Sequence, residues 1–176
     1  GWNDVVLLER DQLTSGTTWH AAGLIGQLGA SATLTKIRNH SLNLYKELEN
    51  ETELSSGLKQ NGSLTVATTK GRLDELKRQV NTAKLFNVEA SEVSTEQIKE
   101  IYPLINTQDL VGGVYIPYDG QADPIGVTNV LAKAAKQNGA KIIEKCSVKK
   151  ILLKNNQIEG VETNNGKIEC EYVVLA

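Results

Sequence analysis

The sequence predicts an α/β protein: a parallel sheet assembled from both ends of the chain, with part of an antiparallel α+β domain inserted between them. Three observations predict it. Val5-Val6-Leu7-Leu8 is apolar at consecutive positions, the mark of a strand buried on both faces of a parallel sheet. Tyr172 to Leu175 (YVVL) repeats that pattern at the other end of the chain, and Lys141 to Glu144 (KIIE) supplies a third run behind an amphipathic helix. The middle of the chain differs: Ser63 to Thr68 (SLTVAT) alternates like a half-exposed strand.

Each element has a local reason. Gly1 to Asp4 reads as the end of a helix and its turn. Leu34, Ile37, Ser41, Tyr45 and Leu48 fall at helical spacing, which predicts an amphipathic helix from Ala32 to Glu49. Leu73, Leu76, Val80 and Ala83 predict the next helix. Ser94-Thr-Glu-Gln97 has the spacing of a capping box and opens a short helix that must end before Pro103. Val111 to Tyr118 (VGGVYIPY) reads as a strand whose glycine pair signals a bulge or a close backbone approach. Asp123-Pro124 is an N-cap followed by proline at the first helical position. Val127, Val130, Leu131, Ala134 and Ala135 are the expected buried stripe of that helix, closed by Asn138-Gly139. Val148 to Leu153, Ile158 to Glu162 and Lys167 to Cys170 are separated by Asn-rich turn signals and predict an antiparallel meander.

Composition narrows the class. The 176 residues are 40% hydrophobic, enough for a real core, and carry a net charge of -2. That balance argues against nucleic acid as a partner, since such proteins carry a basic patch. No run reaches the ~18 apolar residues of a membrane span, and the N-terminus does not read as a signal peptide. Cys146 and Cys170 are too few and too isolated for a disulfide framework or a metal site, and read as two reduced thiols. The chain opens just before one buried strand and stops within another. Domain boundaries seldom fall there, so a piece of a longer protein is expected.

The chemistry concentrates after the first strand. Glu9 stands at its C-terminal end, where a Rossmann-like fold grips a ribose through a carboxylate. The glycine fingerprint that precedes such an acid by roughly 20 residues would lie before Gly1. Gly23-Leu-Ile-Gly26-Gln-Leu-Gly29 is no substitute, having the wrong spacing and no strand directly before it. Strand ends often carry acids, so Glu9 alone weighs little. The loop Gly16-Thr-Thr-Trp-His-Ala-Ala-Gly23 adds small residues that admit a bulky ligand and donors suited to a pyrophosphate. His20 is a core residue, a base or a nucleophile toward a cofactor; spacing leaves all three open.

These strings carry a resemblance. Val5 to Glu9, Leu13 to Leu24, Gly62-Ser-Leu64, Asp119-Gly120, Ala122-Asp-Pro124, Gly160 to Thr163 and Tyr172 to Ala176 follow in order along nearly the whole chain. The chain resembles the dimethylglycine and sarcosine dehydrogenases, flavoproteins of the D-amino-acid-oxidase-like superfamily. The resemblance implies a partial FAD-binding Rossmann-like domain, lacking its first strand and glycine fingerprint, over residues 1–40 and 119–176. Residues 41–118 would be part of a substrate domain. It implies that His20 is bonded through a ring nitrogen to the 8α-methyl of FAD, and that Glu9 holds the adenosine ribose with Arg10 beside it. Gly16, Thr17, Thr18, Trp19, His20, Ala21, Ala22, Gly23 and Leu24 would wrap the pyrophosphate and flavin, and the backbone of Val148 would meet the adenine. The expected reaction is oxidation of the C–N bond of a small N-methylated amino acid. The amine would be the small-molecule partner, and a folate would bind to a carboxyl-terminal region beyond this chain.

The rest weighs less. His40 reads as a surface residue, Trp2 and Tyr45 as packing residues, Asp123 as a cap rather than a catalyst. Tyr115 and Tyr118 lie on a strand that leads towards the flavin in this fold, yet read first as packing. The resemblance places the protein in the cytoplasm, or in the mitochondrial matrix of a eukaryote. Weak or no FAD binding by this chain alone, and self-association through exposed sheet surface, are also expected. Two rival readings stand beside the enzyme: a homologous regulatory subunit that turns over no amine, and a truncated module without activity of its own.

Overall fold

The computed structural model describes Trp2 and residues 4–176; the helix end expected over Gly1 to Asp4 lies partly outside the described residues. Strand β1 (Val6–Leu8) leads through a 3-10 turn (Thr18–His20) to β2 (Leu24–Ile25) and helix α1 (Ala32–Thr52). The middle segment runs β3 (Ser63–Ala67), α2 (Lys70–Lys84), β4 (Ser91–Val93), α3 (Thr95–Ile101) and β5 (Gly112–Ile116). Then come β6 (Gly120–Gln121), α4 (Pro124–Gln137), β7 (Lys141–Ile143), β8 (Val148–Lys154), β9 (Gln157–Thr163) and β10 (Gly166–Glu169).

The two ends of the chain do meet. β1 pairs in parallel with β7, Val6 opposite Lys141 and Leu8 opposite Ile143. α4 is the crossover that this parallel pairing requires. Its start follows from its sequence: the Asp123 carboxylate accepts from the Ile125 and Gly126 N–H groups at 3.2 and 3.0 Å, and Pro124 occupies the first turn. Asp123→Ala should therefore cost about 1 kcal/mol, and Asp123→Asn almost nothing. Urea unfolding of the two variants checks this; equal losses would mean that the carboxylate does more than cap.

Three antiparallel assemblies complete the fold. β3 and β4 flank β5, and α2 closes over this sheet with Ala67, Leu76, Val80 and Val114 as a buried cluster. The glycine pair in β5 marks a close approach and not a bulge, for the register with β3 is unbroken. A Cβ on Gly113 would stand 2.6 Å from the Thr65 carbonyl oxygen. The capping box at Ser94 forms as expected, with both Ser94 and Gln97 bonded to each other's backbone N–H. β8, β9 and β10 form the meander, turned at Asn155 and Asn156, both at positive φ. β2 and β6 make a two-residue ribbon.

Four expectations need correction. Tyr172 to Leu175 forms no strand: Val174 and Leu175 are 87% and 81% exposed. This segment pairs with none of the described strands. Tyr172 instead packs edge-on against Trp2, ring centroids 4.8 Å apart. Among the described strands β1 pairs with β7 alone, which leaves Leu7 45% exposed where burial on both faces was expected. Helix α1 runs on to Thr52 and is rotated from the expected face. It buries Thr35, Leu42, Leu48 and Thr52, and leaves Leu34 and Ile37 outside. Thr35 decides that rotation, its hydroxyl bonded to the Ser31 carbonyl at 3.0 Å and accepting the Gly29 N–H at 3.0 Å. In α4, Val130 and Ala134 are buried against Leu48, while Leu131 of the expected stripe is exposed.

Candidate functional site

The acid at the end of β1 is held by its backbone. The Glu9 N–H donates to the Ile143 carbonyl at 2.9 Å, and the Glu9 carbonyl accepts from the Cys146 N–H at 2.9 Å. The following turn is zipped to the same segment, with the Lys145 N–H on the Asp11 carbonyl and the Leu13 N–H on the Glu144 carboxylate. The Glu9 side chain accepts the Asp11 N–H through Oε1 at 2.8 Å. Arg10 pairs with Asp11 at the surface at 3.4 Å. Val148 opens β8 two residues past Cys146. Glu9, Arg10 and Val148 thus come together at the C-terminal end of the parallel pair.

The loop that follows forms a second group. Gly16 stands open, with no atom beyond its two chain neighbours within 4 Å of where a side chain would begin. Thr17 precedes the 3-10 turn, closed by the His20 N–H on the Thr17 carbonyl and the Ala21 N–H on the Thr18 carbonyl, both 3.1 Å. Trp19 and His20 stand in solvent with their rings stacked, centroids 3.6 Å apart and tilted by 31°. Thr18 and Ala21 to Ile25 then line a cleft of ≈ 480 Å³, whose other wall is Tyr45 of α1 with Pro124, Val127 and Thr128 of α4. Trp19 and His20 are not part of that lining.

Gly23 is small for a reason other than the one expected. Its φ is +69°, and a Cβ there would strike the Ala122 carbonyl oxygen, while its own carbonyl accepts the Ala122 N–H at 2.8 Å. The glycine is required by the chain's own packing. Gly16 is the loop glycine left free to face something else.

Sequence reasoning missed Thr128 as a cleft residue and assigned Tyr45 to packing alone; the helical spacing of Tyr45 was visible, its facing loop was not. It gave no role to Asp119, named only within a resembling string, although this residue is 6% exposed and has both carboxylate oxygens bonded. Tyr115 packs over Gly62, taking the room a side chain would need there. Tyr118 is 52% exposed. His40 is exposed on α1, as expected. Among the described residues, no helix is long and apolar enough to cross a membrane.

Comparison with known proteins follows the same line. The family model described as FAD dependent oxidoreductase matches residues 1–176. Human mitochondrial sarcosine dehydrogenase is 43% identical over 180 residues, covering 99% of this chain and 20% of that protein. The mouse mitochondrial pyruvate dehydrogenase phosphatase regulatory subunit is 39% identical over 174 residues, again 99% of this chain and 20% of the relative. The chain therefore spans about a fifth of these relatives. Among solved structures, L-proline dehydrogenase from P. horikoshii superposes with a TM-score of 0.89 at 31% identity, over 96% of this chain and 44% of that one.

Proposed function

Because the chain belongs to the family of FAD-dependent oxidoreductases over residues 1–176, we propose that it forms part of an enzyme oxidising the C–N bond of a small N-methylated amino acid, of the sarcosine or dimethylglycine type. One observation carries the reading: an acid, an open glycine and a histidine follow in order from the C-terminal end of a parallel strand and lead to a cleft. The fit to FAD rests on the groups present. Glu9 uses Oε1 on the Asp11 N–H, leaving Oε2 for ribose hydroxyls. Gly16 leaves room for close backbone approach, and the cleft wall is largely apolar.

Bound FAD supplies the redox chemistry by accepting a hydride from the carbon next to nitrogen. The chain's share is to grip it. Glu9, with Arg10 beside it, would hold the adenosine end, and the backbone at Val148 would bind the adenine. Gly16 to Leu24 would hold the pyrophosphate and flavin, with His20 as the covalent anchor. Residues 1–40 and 119–176 serve the cofactor and 41–118 the substrate side. α1 runs unbroken from 32 to 52 and so carries both. The mitochondrial location of the two relatives supports a mitochondrial matrix protein if the source is eukaryotic.

The experiment is amine-dependent dye reduction by the full-length protein, with sarcosine, dimethylglycine and L-proline compared. Reduction by a methylated amine supports the reading, and a yellow protein that no amine reduces sinks it. The likeness to a regulatory subunit supports one rival, a family member that keeps the fold without turnover; the second outcome would favour it. Glu9→Ala should weaken FAD binding by about 1.5–3 kcal/mol, the worth of a charge-assisted hydrogen bond. Equilibrium dialysis in a His20→Ala background, where flavin stays exchangeable, measures this, and unchanged affinity would remove Glu9 from the site.

A further inference from the structure

We propose that Asp119 is a positioning residue of the flavin site, one whose buried carboxylate sets where the histidine loop stands relative to the antiparallel β3–β5–β4 sheet. The inference rests on the FAD reading above and goes beyond it. Asp119 immediately precedes β6, the only described partner of β2, and β2 begins four residues after His20. That ribbon is held at both ends. At one, the Ala122 N–H donates to the Gly23 carbonyl at 2.8 Å. At the other, Asp119 Oδ1 accepts the Gln27 N–H at 2.7 Å, across 92 residues of chain.

The second carboxylate oxygen points the connection elsewhere. Oδ2 accepts the Ser63 hydroxyl at 2.6 Å, at the first residue of β3. The Asp119 carbonyl also accepts the Gly62 N–H at 2.8 Å, and Gln121 exchanges both backbone bonds with Lys59. One buried side chain therefore joins the segment after the histidine loop to the sheet that would carry substrate. A hydrophobic residue at 119 would leave the Gln27 N–H and the Ser63 hydroxyl without partners. Asn would not, because its Oδ1 still accepts from Gln27 and its Nδ2 can donate to the Ser63 hydroxyl, which is free to turn.

The test compares full-length Asp119→Ala, Asp119→Asn, Ser63→Ala and Leu76→Ala with the parent, each prepared as flavin-free apoprotein from riboflavin-starved cells and reconstituted with FAD well below its own Tm. Leu76 lies in the core of the α2 sheet, away from the ribbon, and reports destabilisation alone. The readout is the rate at which flavin becomes resistant to acid precipitation. Asp119→Ala should slow it about tenfold or more, the scale on which small misplacements act. Asp119→Asn should recover most of that rate, and Leu76→Ala should lower Tm without slowing attachment. Attachment by Asp119→Ala at the parental rate overturns the proposal. If Asp119→Ala does not fold, Ser63→Ala decides: slower attachment at an unchanged Tm supports it, and a parental rate overturns it. A parent protein that holds FAD only non-covalently sinks the histidyl reading instead; retention of FAD on gel filtration then replaces attachment as the measure, with the same expected order. A parent that takes up no flavin at all overturns both.

Discussion

In the full-length protein, His20→Ala should abolish acid-stable flavin and leave the fold intact. The two halves of that result have separate causes. The His20 side chain stands in solvent and packs on Trp19 alone among the aromatic rings described, and its backbone N–H, which closes the 3-10 turn on Thr17, survives the substitution. No core cavity opens, so stability should change by no more than about 0.5 kcal/mol. The covalent bond, by contrast, depends on the imidazole nitrogen: the other loop nucleophiles are the Thr17 and Thr18 hydroxyls, which are weak unless an adjacent base activates them. Precipitation with acid, followed by absorbance of supernatant and pellet, reads the outcome directly. Flavin that stays in the pellet of the variant would remove His20 as the covalent anchor. The phenotype differs in kind from that of Glu9→Ala, where affinity falls and attachment chemistry remains.

Gly23→Ala should be among the most destabilising single changes near the site, at about 3 kcal/mol or more. The φ of +69° already disfavours any side chain, and the new methyl would meet the Ala122 carbonyl oxygen, which belongs to rigid backbone at the entry to α4. Relief requires opening the β2–β6 ribbon. Gly16→Ala is the matched control. Nothing lies within 4 Å of its Cβ position, so its stability should stay within about 0.5 kcal/mol of the parent. If the loop wraps the cofactor, that variant should instead lose flavin affinity. Thermal unfolding of both apoproteins, with FAD titrations beside them, separates the two roles. A stable Gly23→Ala protein would mean that the ribbon is not needed to shape the cleft.

Much of this protein is written locally. The capping box at Ser94, the Asp123-Pro124 start and Asn138 end of α4, and the Asn155-Asn156 turn each depend on groups within four residues of one another. Such signals can be read without knowing what packs where. The parallel pairing of β1 with β7 was legible too, because a fully apolar run requires a partner and the crossover helix shows where to look. The acid, glycine loop and histidine were legible as a cluster along the chain.

What tertiary structure decided is which atoms those local features meet. The buried face of α1 turned on Thr35 and its bonds to Ser31 and Gly29, a polar residue that hydrophobic spacing overlooks. Tyr172 to Leu175 had the composition of a strand and pairs with none of those described. Gly23 is small on account of Ala122, and Asp119 is buried on account of Gln27 and Ser63, contacts that span 92 and 56 residues in the last two cases. Periodicity carries information over a helical turn or a strand, but a hydrogen bond between distant segments leaves no mark in either sequence neighbourhood. Only the folded chain brings its donor and acceptor within reach.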